Sequence, residues 1–351
     1  MATQAPTPTV RPLCAPRATV PIPLPLGISP FRASSIRLLG KKWANGTTLR
    51  YHFLTDDSWQ WPDIQKQAVR KAFAVWKGLK IGLEFKETDD ASEAEIRIGF
   101  DQREGSWSFV GIDSLRNSDR NRTMNFGWDL TDDWGAATAL HEIGHALGLE
   151  HEAQNYNAGI VWNEALVYST FGGPPNHWDP ETIYQNILAK LERKDTQATR
   201  WDPQSIMQYP FPPQLIAAPP PYNQTGIPEN TELSAADKAA ICKIYPQLRP
   251  AATIGVMDLQ RLAPQWAAQS NFVFEPTETR NYTIRSIGEA DTKLVLFTER
   301  DGEPRFVTAK DDSGSPDNAK IAVRLVKGER YIVRARTHYA EEGKDLGLVI
   351  I

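Results

Sequence analysis

Cysteine is nearly missing from this chain, with only Cys14 and Cys242 in 351 residues. A disulfide-stapled secreted scaffold needs more, so folding has to rest on apolar burial. The hydrophobic content of 41% supplies that, and the length admits two domains. Long apolar runs are also missing. None approaches the roughly 20 residues a membrane-spanning helix requires, so no membrane span is expected. A basic excess is absent as well: the net charge is -4, which advertises no nucleic-acid surface. The first 27 residues lack a basic leader, and proline interrupts their apolar stretch. They do not read as a secretory signal, which leaves two expectations: retention inside, or export by a route the sequence does not display.

What is present divides the chain. Residues 1–35 are proline-rich and should be extended, a candidate pro-segment. Globular text runs over 36–248. TTLRYHFL alternates as a strand, and Pro62 opens a helical stretch with Ile64, Val69, Phe73 and Trp76 on one face. LEFKET, AEIRIGFD, GSWSFVGI and TMNFGWDL read as further strands, with Gly105–Ile112 the candidate sheet edge. PETIYQNILAKLER reads as a helix, SIMQYPFPPQ as a turn, and LSAADKAAICKIYP as a helix capped by Ser234. Cys242 on that last helix is expected to be a buried thiol. Residues 249–266 read as a linker. Over 267–351 seven short strands alternate with turn signals, the pattern of a β-sandwich.

The informative stretch is His141-Glu142-Ile143-Gly144-His145-Ala146-Leu147-Gly148-Leu149-Glu150-His151. Two histidines four apart share a helical face and can present two imidazoles to one metal. Gly148 lets the chain leave the helix with positive φ, bringing His151 round as a third ligand. Three nitrogens with one open position make a catalytic zinc arrangement. Glu142, beside the first ligand, can reach a water there without ligating. A helix with two ordinary histidines is the plainer reading of HExxH alone; the added glycine and third histidine disfavour it.

This motif resembles the metzincin metallopeptidases, whose other hallmark is a methionine turn beneath the zinc. Ser205-Ile206-Met207-Gln208-Tyr209 fits that turn, and Glu152 directly after the third histidine resembles the astacin branch. The resemblance implies an α+β fold: a metzincin catalytic domain, a twisted mixed sheet with an active-site helix, followed by an all-β sandwich. It implies one catalytic Zn²⁺, a protein or peptide substrate, and a zinc-dependent endopeptidase. It also implies Met207 as the floor under the ligands and Tyr209 as a residue that swings to the oxyanion. The disulfide cysteines of typical astacins are absent here. In astacins the glutamate after the third histidine pairs with a freshly cut N-terminal ammonium. Glu152 therefore either awaits processing of the long lead-in or pairs with something else.

Cys14 lies between prolines in Arg11-Pro12-Leu13-Cys14-Ala15-Pro16. Thiolate is a good zinc ligand, and the segment looks loosely like the cysteine switch of matrix metalloproteinase propeptides, the mark of a zymogen. An incidental tail cysteine is the alternative. Asp311, Asp312 and Asp317 could ligate calcium, though a solvated turn explains them as well. By analogy of fold alone, the sandwich would bind carbohydrate, a surface or substrate. Two other functions stay open: a catalytically inactive relative acting as a binding protein, and a zinc enzyme on a non-peptide substrate.

Overall fold

The computed structural model describes residues 8, 10–15, 41–55, 61–116, 121–191, 200–263, 268–288, 290–310, 318–340 and 345–351. Most of the proline-rich lead-in and the acidic run Asp311, Asp312 and Asp317 lie outside the described residues. The chain forms two compact units. One comprises Met1–Ile22, Arg50–Leu79 and Glu87–Ala240, the other Pro23–Leu49, Lys80–Lys86 and Ile241–Ile351. No helix among the described residues is long and apolar enough to cross a membrane.

Five short strands make a mixed sheet: β1 (Thr48–Phe53), β2 (Glu84–Glu87), β3 (Ile96–Gly99), β4 (Trp107–Ser108) and β5 (Met124–Asn125), in the order β2-β1-β3-β5-β4. β1, β3 and β5 run parallel, while β4 pairs antiparallel with β5 at the sheet edge. The Gly105–Ile112 stretch is thus an edge, but only Trp107 and Ser108 are in strand. From Gly111 the chain winds into a 3-10 helix.

Helix α1 (Asp63–Gly78) buries Gln65, Val69, Ala72, Phe73 and Trp76. Ile64 is 59% exposed, contrary to expectation. The buried positions repeat at i, i+4, i+7, i+8 and i+11, and Ile64 stands one residue, about 100°, off that stripe. A polar residue heads the stripe because its hydrogen bonds are met: the Gln65 amide donates to Asp129 and accepts from the Leu130 N–H. Trp76 ties α1 to helix α2 (Asp133–Ala146) by donating Nε1–H to the Leu140 carbonyl at 3.1 Å.

Beyond α2, β6 (Val161–Trp162) pairs antiparallel with the distant β7 (Ile216–Ala218) in a two-stranded sheet, and α3 spans Glu164–Gly172. The helix expected from Pro180 is shorter than its sequence pattern. It has one α-turn, Pro180–Ile183, and a π-turn, Tyr184–Leu188, where Gln154 reaches in to donate to the Gln185 carbonyl. Helix α4 covers Ala235–Ile244. Ser234 caps it by accepting from the Asp237 N–H, and Asp237 accepts in return from the Ser234 N–H, a reciprocal capping box. Cys242 is exposed, not buried. Ile241 and Tyr245, one turn apart, take the inward face, and Cys242 is rotated off it.

All seven strands expected after residue 267 form: β10 (Gln269–Phe274), β11 (Arg280–Gly288), β12 (Ala290–Arg300), β13 (Glu303–Lys310), β14 (Lys320–Leu325), β15 (Tyr331–Ala340) and β16 (Leu346–Ile350). Two short strands, β8 (Ala252–Thr253) and β9 (Gln260–Arg261), add one edge to each sheet, giving β13-β12-β15-β10-β8 and β14-β11-β16-β9. Alternate residues such as Phe272, Phe274, Tyr282, Ile284, Leu294, Leu296 and Val333 fill one shared core. Each such side chain contributes about 1.5–3 kcal/mol by leaving water.

Candidate metal centre

Helix α2 begins where Asp132 accepts the Gly135 N–H at 2.7 Å, and it carries His141, Glu142 and His145 inward. Its end is a Schellman motif: Leu149 N–H bonds the Gly144 carbonyl, Gly148 N–H bonds the His145 carbonyl, and Gly148 has φ +90°. A side chain other than glycine's would be strained there. The reversal brings in His151. It also points the Leu149 carbonyl at His145 Nδ1, 2.8 Å away. His141 Nδ1 likewise meets the Ile206 carbonyl at 2.7 Å. A carbonyl can only accept, so each Nδ1 carries the proton and each Nε2 presents its lone pair.

The three Nε2 atoms converge on one point together with the Cys14 thiol. Sγ lies 3.2 Å from His141, 3.6 Å from His145 and 3.4 Å from His151, and His145 and His151 are 3.0 Å apart. All four ligand atoms fall within 4.8 Å of one another. A tetrahedron with zinc–nitrogen bonds near 2.05 Å and a zinc–sulfur bond near 2.3 Å has edges of about 3.3–3.6 Å, so the donor set fits zinc in size and chemistry. Burial, then the neighbouring His145, pushes the pKa of His141 down to about 3; burial also lowers His151. Both therefore stay neutral, the form a metal needs.

Glu142 is fully buried beside this cluster, and among the described residues its carboxylate faces the Cys14 thiol and meets no hydrogen bond of good geometry. Burial pushes its pKa up to about 8. An acid so placed is costly unless something else uses it. The Tyr209 hydroxyl lies 2.9 Å from Cys14 Sγ and donates to the Cys14 carbonyl. Its ring stacks on His141 at 5.4 Å. Leu13 and Cys14 are only 5% and 4% exposed, and the Leu13 N–H donates to Asn176.

Met207 sits against α2 at Gly144, where a Cβ would fall 2.5 Å from its sulfur. The Met207 carbonyl accepts from the Glu152 N–H. The Glu152 carboxylate accepts from the Asp202 N–H and the Asn155 amide, each at 2.9 Å, and burial raises its pKa to about 7. Its partners thus come from the same unit.

One residue escaped the sequence reading. Asp237 accepts from Ser205 Oγ at 2.6 Å and from the Ile206 N–H at 2.8 Å. The carbonyl of that same Ile206 orients His141. The signal was available in Ser234-x-x-Asp237, a capping-box spacing, but its second partner lies 32 residues upstream. Asp237→Asn should turn an amide donor against two or three N–H and O–H donors. We expect zinc affinity to fall about ten- to hundredfold, as for other partners that orient ligands, measured by competition with a chromophoric chelator. Unchanged affinity would detach Asp237 from the metal centre.

Comparison with known proteins agrees with this geometry. The family model for astacin, a peptidase family, matches residues 36–163. The hatching enzyme of Paracentrotus lividus is 34% identical over 154 residues, 40% of this chain and 24% of that protein. Karilysin of Tannerella forsythia is 28% identical over 191 residues, 50% of this chain and 35% of that protein. The chain thus spans about a quarter to a third of these relatives. The solved structure of myroilysin superimposes with a TM-score of 0.54 at 30% identity, covering 61% of this chain and 99% of that one.

Proposed function

The chain belongs to the astacin family of zinc metallopeptidases, and from that premise we propose that it is an endopeptidase whose own N-terminal segment closes its active site. The observation that carries this reading is the convergence of His141, His145 and His151 beside the buried Glu142, with Cys14 Sγ as the fourth donor.

His141, His145 and His151 would hold Zn²⁺, which when bound supplies Lewis acidity toward water and a peptide carbonyl. Glu142 is the general base: it accepts the proton of the attacking water and returns it to the leaving amine. Tyr209, once free of Cys14, donates its hydroxyl hydrogen bond to the developing oxyanion. Met207 and Gly144 keep the floor under the histidines rigid. The edge strand β4 offers backbone groups to which an extended substrate can add as a further strand. While Cys14 occupies the fourth position, water and substrate are excluded. The sandwich contributes none of these residues; we propose it as a module that binds carbohydrate, a surface or substrate.

Metal removal tests the reading. Full-length Cys14→Ala protein should contain one zinc per chain and cleave casein. Dialysis against a chelator should abolish cleavage, and one equivalent of zinc should restore it. A chain that takes up zinc yet cleaves nothing would be a non-catalytic binding relative. For Tyr209→Phe we expect kcat to fall about a hundredfold with KM little changed. A pure KM effect would make the tyrosine a substrate contact instead.

A further inference from the structure

The N-terminal segment bears on substrate as well as on closure. Helix α2 is the floor of the cleft, and Trp134 lies seven residues before His141 on it, hence on the same face and about 10 Å along the axis. Arg11 precedes Cys14 by three residues, which in extended chain is also about 10 Å. The two distances match, and the side chains meet. The Arg11 guanidinium lies over the Trp134 ring, 5.0 Å from its centroid, and its Nε stands 3.4 Å from the Glu229 carboxylate. Arg11 is 55% exposed there, whereas Leu13 and Cys14 are sealed in.

We propose that Trp134 and Glu229 form a cation-accepting subsite that takes an arginine or lysine side chain of the substrate after the N-terminal segment leaves. The inference rests on the endopeptidase reading for the role of the cleft, but the subsite itself is drawn from the contacts of Arg11. The indole face attracts a cation through its quadrupole, and guanidinium most often. The carboxylate adds charge complementarity and repels acidic side chains at the same place. Arg11 therefore acts as a resident mimic of the preferred substrate side chain, as Cys14 acts as a resident metal ligand. A neutral side chain of equal length would keep only the ring contact.

The test uses the full chain carrying Arg11→Ala and Cys14→Ala, zinc-loaded, which weakens the segment's hold so that added ligands compete for the cleft. Quenched peptides with one arginine scanned along both sides of the scissile bond are compared with the same peptides carrying citrulline, which is neutral and of equal shape. At one position about three residues from the bond, arginine should raise kcat/KM about three- to thirtyfold, the combined size of a cation–π contact and an exposed ion pair. Adding Glu229→Gln should remove most of that arginine-over-citrulline preference. A ratio below about two at every position, or one unmoved by Glu229→Gln, overturns the subsite. Should no peptide be cleaved, the endopeptidase reading fails first. The subsite is then read by calorimetry with the hexapeptide Val-Arg-Pro-Leu-Cys-Ala against its citrulline form: weaker binding of citrulline supports it, equal affinity overturns it.

Discussion

Glu142→Gln is expected to bind zinc as the parent does and to lose about a hundred- to ten-thousandfold of its proteolytic rate, the usual worth of a general base. The expectation follows from three features together. Glu142 sits on α2 beside the ligand His141, it is fully buried, and no described residue holds its oxygens in a hydrogen bond of good geometry. Glutamine has the same shape, so the floor formed by Met207 and Gly144 is not disturbed. It cannot take a proton from water, and that is the one property the substitution removes. Burial raises the acid in the closed chain to about 8, whereas a zinc ion held by the neighbouring histidines would favour the carboxylate. Opening the site admits water and lowers the cost of burial, which also favours the carboxylate a general base requires. Casein cleavage by Glu142→Gln at the parental rate would remove this residue from the mechanism.

Uncut Cys14→Ala protein is expected to be at least about tenfold more active than the uncut parent, a factor equal to about 1.4 kcal/mol. The substitution removes the thiol at the fourth metal position and its contact with Tyr209, while Leu13 and Arg11 remain. Burial of the Leu13 side chain stabilises the closed segment by about 1.5–3 kcal/mol, so closure is weakened and not lost. Activity should therefore stop short of that reached when the whole segment is cleaved away. Equal activity of the two uncut proteins would show that Cys14 is no latch, whatever its distance from the histidines.

Local patterns survived into the fold with little change. The sandwich strands alternate inward and outward residues over a few positions, and no distant partner is needed to see it. The Schellman turn at Gly148 is likewise local. Where the reading from sequence went astray, a competing local choice won. Ile64 gave way to Gln65 because neighbouring Asp129 and Leu130 satisfied the amide. Cys242 turned outward because Ile241 and Tyr245 claimed the buried face. The helix from Pro180 ended early where Gln154 captured a carbonyl.

By itself, the sequence determined the chemistry: three imidazoles and one carboxylate, because helical periodicity and one glycine fix their spacing over eleven residues. The tertiary structure alone decided how the site is held and closed. Cys14 meets its histidines and Tyr209 across 127 to 195 residues of chain, and Asp237 reaches Ser205 across 32. Contacts at such separations depend on how whole elements pack, and no local period encodes them.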